Sequence, residues 1–185
     1  MAQNRSYWMP DNIEIELELT YLACEIPKEL KGATPRKLLD IYIPENADRP
    51  FIRLRQKDQR YEITKKRPID DEDASRQTEQ TIPLDQVEFA ALSIASQRRV
   101  EKDRYEVNIE GHRAEVDIFQ GELAGLVLID FEFETLAGMQ AFRPPECCSA
   151  DVTQERFLAG GQLAGKSYAD IEADLKRCNY KRLAL

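Results

Sequence analysis

Glu14-Ile15-Glu16-Leu17-Glu18-Leu19-Thr20 is the stretch on which the fold turns. Polar and apolar residues alternate in it without a break. An extended chain sends successive side chains to opposite faces, so Glu14, Glu16, Glu18 and Thr20 share one face of a strand. Ile13, Ile15, Leu17 and Leu19 share the other and can enter a core. Three like charges in a row repel one another. Water, basic side chains or metal ions must offset them, and the rest of the chain decides which.

At 185 residues the chain is long enough for a real core, and 42% hydrophobic with 32% charged residues suits a globular protein. The formal charge of −8 argues against general nucleic-acid binding, which calls for a basic balance. It leaves room for a local basic pocket. No apolar run reaches membrane-spanning length, and residues 1–12 lack a signal-peptide core, so a cytoplasmic location is expected. Cys24, Cys147, Cys148 and Cys178 show no paired C-x-x-C spacing and have no neighbouring histidine, which speaks against zinc and for reduced thiols. Residues 1–11 read as a poorly ordered lead, with Trp8 and Met9 packing locally, ahead of one domain over 12–185.

The first strand is expected over 12–21. Pro27 opens an expected helix with Leu30, Leu38 and Leu39 as anchors, broken or delayed by the Gly32–Pro35 stretch. Ile41-Tyr42-Ile43 reads as a short strand. Strands over 51–55 and 61–66 form a hairpin, with Arg53 and Arg55 on one face and Glu62, Thr64 and Lys66 on one face of its return. The acidic stretch 68–75 reads as a loop, 76–82 as a strand, and 86–95 as a helix with Val87, Ala90, Ala91 and Ile94 inward. Strands follow over 98–109, 114–119 and 126–135. The first carries Lys102 and Arg104 on one face, the second Glu115 and Asp117, the third Leu128, Asp130, Glu132 and Glu134. Lone His112 falls in a hairpin turn and reads as structural. Gly160-Gly161 marks a bend before a helix over 168–177 that presents Ile171 and Leu175. The order of elements in the two halves reads as a weak internal duplication with about eight strands.

Nearly every strand thus has one apolar and one charged face. In an open sheet the charged faces meet solvent; in a closed barrel they face inward and pair. Acids on neighbouring strands suit a hard divalent cation such as Mg²⁺ or Mn²⁺. Rows of Arg and Lys suit phosphate oxygens. There is no Gly-rich phosphate loop.

These residues resemble the CYTH family, also called triphosphate tunnel metalloenzymes. Glu16, Glu18 and Thr20 stand in its E-x-E-x-K opening, followed by Tyr21-Leu22-Ala23 and Ile26-Pro27. Arg53-Leu54-Arg55 resembles its R-x-R strand, Thr64-Lys65-Lys66 its T-x-K, and Lys102-Asp103-Arg104-Tyr105 its K-x-R-aromatic. Glu115-Val116-Asp117 with Phe119 and Gly121 resembles E-x-D and its turn. Gly125-Leu126 followed by Asp130-Phe131-Glu132 resembles the G-L…E-x-E strand, with Asp for the first Glu. Asp151-Val152-Thr153, Arg156-Phe157 and Leu163-Ala164 resemble the tail.

The resemblance implies an α+β fold: an eight-stranded antiparallel β-barrel, open as a tunnel, with helices packed outside. It implies a triphosphate-containing small molecule bound inside with Mg²⁺ or Mn²⁺. Carried over by position, Glu16, Glu18, Asp130 and Glu132 hold metal, with Glu134 as a helper, and Glu18 and Glu132 serve catalysis. Arg53, Arg55, Lys66, Lys102 and Arg104 hold phosphates. Glu115 and Asp117 orient them or help bind a second ion, and Arg156 covers one mouth. Arg76 and Glu79 fall near a further R…E position. The departure is Thr20, which stands where the motif has Lys and offers only a neutral hydrogen bond. The family includes inorganic triphosphatases, thiamine triphosphatases and class IV adenylate cyclases. The leading expectation is a metal-dependent triphosphate hydrolase acting on inorganic tripolyphosphate or an organic triphosphate. The alternatives are an adenylate cyclase and a non-catalytic polyphosphate or nucleotide binder. Neither nucleic acid nor a membrane is expected as a partner, and a homodimer is an open option.

Overall fold

The structure, a computed structural model, describes residues 14–70 and 73–184. The expected lead over 1–11, with Trp8 and Met9, lies outside the described residues, as do Asn12, Ile13, Asp71 and Glu72. The strands are β1 (Glu14–Ala23), β2 (Arg36–Ile43), β3 (Ile52–Lys57), β4 (Arg60–Asp70), β5 (Asp73–Leu84), β6 (Arg99–Ile109), β7 (His112–Phe119), β8 (Val127–Phe133) and β9 (Cys148–Asp151). The helices are α1 (Gln86–Ser93), α2 (Leu136–Ala141), α3 (Gly160–Leu163) and α4 (Tyr168–Arg177).

All pairings are antiparallel, in the order β5-β4-β3-β2-β6-β7-β8-β1, and β1 also pairs β5. Eight strands therefore close into a barrel, with helices outside. β1 is the seam. Its first part, Glu14 to Leu17, pairs β5, while Leu17 to Leu22 pair β8. The short β9 joins β1 beyond β5, through Tyr21 and Ala23. Closure leaves these eight strands no free edge and turns one face of every strand inward. The charged faces are the ones turned inward.

The outward faces of β2, β3, β7 and β8 are apolar and lie under cover. Ala114, Val116, Ile118, Val127, Ile129 and Phe131 form one outer core with Tyr21 and Phe142. Ile41, Leu54 and Phe89 form another beneath α1. A third cluster seals one end of the barrel from inside. Val100, Phe119 and Leu128 point into the interior and pack with Val152, Leu158, Leu163 and the α4 residues Ile171 and Leu175. The tail is thus a floor to the barrel, where an open passage was expected.

Several local expectations change. The expected helix from Pro27 is a 3₁₀ turn over Lys28–Leu30. Gly32 takes a positive φ of 84°, and Leu38 and Leu39 belong to β2, not to a helix. The stretch 68–75 is no free loop: β4 runs to Asp70 and β5 begins at Asp73. The first half is therefore strand, 3₁₀ turn and four strands, which removes the element order behind the duplication reading. α1 forms as expected, with an Asp85–Glu88 capping box, but it buries the other side. Val87 is 77% and Ile94 80% exposed, while Phe89 is buried and stacks near Tyr61. One aromatic wedge over the barrel wall outweighs four small apolar contacts, since a Phe buries far more area than an Ala.

The β6–β7 turn needs positive φ at Glu110 (51°) and Gly111 (91°), the twist that suits a two-residue hairpin. His112 opens β7 and packs edge-on against Phe142 at 4.9 Å, a structural placement. All four cysteines are free. Among the described residues no helix is long and apolar enough to cross a membrane.

Candidate active site

The barrel encloses a cavity of about 650 Å³. Strand alternation places its lining. From β1 come Glu16, Glu18 and Thr20; from β3, Arg53, Arg55 and Lys57; from β4, Lys66; from β6, Lys102 and Arg104. β7 adds Glu115 and Asp117, and β8 adds Asp130 and Glu132. Every site residue expected from the sequence lines this cavity except Glu134. That residue lies past the end of β8 and is exposed. Arg156 is exposed and lines the cavity from the floor segment. Glu79 lines it too, whereas Arg76 is the cross-strand partner of Leu17 and shares its outward parity.

The two charge rows meet as ion pairs. Lys66 Nζ lies 2.5 Å from Glu16 and 3.5 Å from Glu18. Arg104 is held on three sides: it donates to both oxygens of Asp117, pairs with Glu115, and lies 3.7 Å from Asp130. Lys102 also donates to Asp117. Burial alone would raise the Asp117 carboxyl, but Arg104 and Lys102 outweigh it and hold it far below the usual carboxylate range. Burial lowers Lys102 from the usual lysine range, and the neighbouring Arg104 and Arg55 add to that against Asp117. Arg53 is different. Its acid partner is Glu79, at 3.9 Å, the Tyr42 hydroxyl lies beside it, and its buried Nε has no hydrogen-bond partner among the described residues.

The acidic side is under-neutralised. Asp130 is pushed up to about 7 by burial and by the neighbouring charges of Glu18 and Asp117. Glu132 is raised by burial and by Glu115, with Arg113 only 3.5 Å away to oppose the shift. Thr20 donates its hydroxyl to Asp130 Oδ1 at 2.7 Å and its backbone N–H to Thr153. Among the described residues, eleven carboxylates and eight basic side chains line the cavity. A polyanion entering it therefore meets a net negative wall and needs cations of its own. Crowded oxygen-only donors fit a hard divalent cation such as Mg²⁺ or Mn²⁺. Among the described residues no three acidic, His or Cys groups are already gathered at ligating distance.

Sequence reasoning missed Asp40 and Tyr42, which line the cavity from β2. Asp40 had a signal: it is the lone acid in Leu38-Leu39-Asp40-Ile41-Tyr42-Ile43, and a charge in an apolar run needs a partner. The floor was also missed. Gly160 lies so close to Tyr42 that a Cβ there would strike the Tyr42 hydroxyl, and a Cβ on Gly161 would strike Pro50. Arg98 ties the same segment down, donating to the carbonyls of Ala47 (2.6 Å) and Gly161.

No protein-family model matches the chain. It is 34% identical over 151 residues to the inorganic triphosphatase of Nitrosomonas europaea, covering 80% of this chain and 96% of that protein. The chain belongs to the CYTH, or triphosphate tunnel metalloenzyme, family. Two crystal structures of the protein NE1496 resemble this tunnel fold. The first, described as a hypothetical protein, gives a TM-score of 0.61 at 29% identity over 82% of this chain and 99% of that one. The second, described as an inorganic triphosphatase, gives 0.60 at 28% identity over 82% and 95%. In this CYTH chain the tunnel is floored by its own tail, and its cations are largely paired before any ligand arrives.

Proposed function

We propose that the chain hydrolyses a triphosphate, with inorganic tripolyphosphate as the substrate, in a reaction that depends on Mg²⁺ or Mn²⁺. The observation that carries this reading is the opposition of an under-neutralised acidic wall to a basic wall across one enclosed cavity. The likeness to an inorganic triphosphatase supports the choice of substrate.

Arg53 offers its free guanidinium N–H to the phosphate chain, and Lys66, Lys102 and Arg104 surround it with positive charge. Glu115 and Asp117 hold Arg104 and Lys102 in place for that contact. Arg156 stands at the edge of the floor segment. Glu16, Glu18, Asp130 and Glu132 would hold the divalent cation, which when bound neutralises the chain and polarises its P–O bonds. Glu132 and Glu18 orient a water molecule for in-line attack on a terminal phosphorus. The new P–O bond forms as the bridging P–O bond breaks. Diphosphate leaves, and the water proton passes to the Glu132 carboxylate.

Incubation with tripolyphosphate is expected to release phosphate and diphosphate in equal amounts with Mg²⁺ or Mn²⁺ and to stop with a chelator. Cyclic AMP formed from ATP instead would favour the cyclase chemistry. Glu132→Gln is expected to lose about 100-fold in turnover. Its melting temperature should hold, because Glu132 sits at the rim with only a 3.5 Å pair to exposed Arg113. Unchanged turnover would remove Glu132 from the reaction.

A further inference from the structure

Three of the four cysteines meet at one corner outside the cavity, where β1 ends and β9 begins. Ala23 faces Cys148 across the two strands. One step further on, the Cys24 N–H donates to the Cys147 carbonyl at 2.8 Å. The Cys24 thiol donates to the Glu146 carbonyl at 3.2 Å, so it lies against the same segment. The thiols of Cys147 and Cys148 are hydrogen-bonded to one another. Facing residues on antiparallel strands hold their Cα atoms about 4.5–5.5 Å apart, inside the range of about 4.4–6.8 Å that a disulfide spans. None of the three cysteines lines the cavity; Cys147 and Cys148 pack in the outer core with Tyr21 and Phe142. Exposure separates the three: Cys24 is exposed, Cys148 half-buried and Cys147 buried. Burial pushes the Cys147 and Cys148 thiols up, and Cys147 adds to the push on Cys148. A thiol that keeps its proton is a poor nucleophile, which leaves exposed Cys24 to react first. Three thiols also suggest a soft metal ion, but among the described residues no three such groups stand at ligating distance.

We propose that this corner is an oxidative modification site, at which Cys24 reacts with hydrogen peroxide and the Cys147–Cys148 pair closes the product to a disulfide. The Cys24 sulfur attacks one peroxide oxygen. The S–O bond forms as the O–O bond breaks, the leaving hydroxide takes the thiol proton as water, and a sulfenic acid remains. The sulfur of Cys147, or of Cys148 in contact with it, then attacks the Cys24 sulfur. The S–S bond forms as the S–O bond breaks, and the released hydroxide takes the second thiol proton. Two thiols thus give up two electrons, and one peroxide becomes two waters. The bridge fastens the end of β1 to the segment that runs through β9 to Val152 and Thr153 at the floor.

The test treats the full chain with hydrogen peroxide at neutral pH, caps the remaining thiols by alkylation and maps the peptides by mass spectrometry. The expected result is the loss of two of the four free thiols and a peptide that links Cys24 to Cys147 or Cys148. A dithiol reductant should restore all four. Cys24→Ser, a change at an exposed position, should lose thiols roughly tenfold more slowly. Cys178→Ser should form the bridge as the wild type does, because Cys178 packs against the other core cluster. Wild-type protein that keeps all four thiols, that carries oxygen on Cys24 without a bridge, or that links Cys147 to Cys148 and leaves Cys24 reduced would overturn the assignment. So would a Cys24→Ser chain that loses thiols at the wild-type rate.

Discussion

Arg53 and Arg55 stand two residues apart on one face of β3, both turned into the same cavity, yet they are in opposite states. Arg55 is closed off by a two-point pair with buried Asp40. Arg53 reaches an acid only at 3.9 Å and keeps a buried N–H without a partner. Lining a cavity is therefore not the same as being available to what enters it. In a poorly solvated interior most charges are matched in advance, and ligand binding falls to the remainder. The contrast leaves Arg55 committed to Asp40 and Arg53 with an N–H still to be met.

The largest effect should come from breaking the closed pair. Arg55→Gln leaves Asp40 buried and uncompensated at a cost of about 3–5 kcal/mol, which for a chain of this size lowers the melting temperature by roughly 6–20 °C. Scanning calorimetry measures it. A loss of only a degree or two would mean that Arg55 is as loosely held as Arg53.

The converse experiment is Arg53→Gln. With only a 3.9 Å acid partner and the neutral Tyr42 hydroxyl to lose, it should cost about 1 kcal/mol in stability. Binding should suffer instead. Loss of a charge-assisted hydrogen bond weakens tripolyphosphate by roughly 10- to 100-fold, read by titration calorimetry. Wild-type affinity in this variant would leave the basic wall without its principal contact.

How much of this was legible in the sequence varies along the chain. β6, β7 and β8 alternate cleanly and are joined by a Gly111 turn or a Gly121–Gly125 connection, so their faces and their charged rows could be read directly. β2 could not. In Leu38-Leu39-Asp40-Ile41-Tyr42-Ile43 both faces carry apolar residues, because buried Leu38 and Tyr42 share the parity of Asp40, and the period of two disappears. The burying side of α1 was hidden for another reason. Its helical spacing is real, but the wall of β2 and β3 offers one slot, and Phe89 fills it. The seam, in which β1 pairs β5 and β8 at once, joins residues far apart in sequence, and no local pattern records it. Pairing within the site follows the same rule. Alternation shows that Arg53 and Arg55 share a face; only the neighbouring strand decides which of them meets an acid.

Thr20 extends the contrast to the acidic wall, where the effects are smaller. It takes the position of the family's lysine and meets Asp130 with a hydroxyl, where an ammonium would form an ion pair. Asp130 is pushed up to about 7, first by burial and then by Glu18 and Asp117. A carboxyl whose pKa is higher folded than unfolded binds its proton more tightly in the native state. Its ionisation therefore subtracts stability as pH rises from about 4 through about 7. The Thr20 hydroxyl offsets part of that loss, since a bond to an ionised oxygen is worth more than one to a neutral acid. Thr20→Val in metal-free protein should cost about 1 kcal/mol at pH 5, where Asp130 holds its proton, and about 2 kcal/mol at pH 8, where it does not. Urea unfolding at the two pH values measures the difference, and Thr20→Ser should restore the wild-type behaviour at both. A deficit equal at pH 5 and pH 8 would mean that the hydroxyl supports the packing of β1 on β8, and that the missing lysine left no electrostatic role to fill.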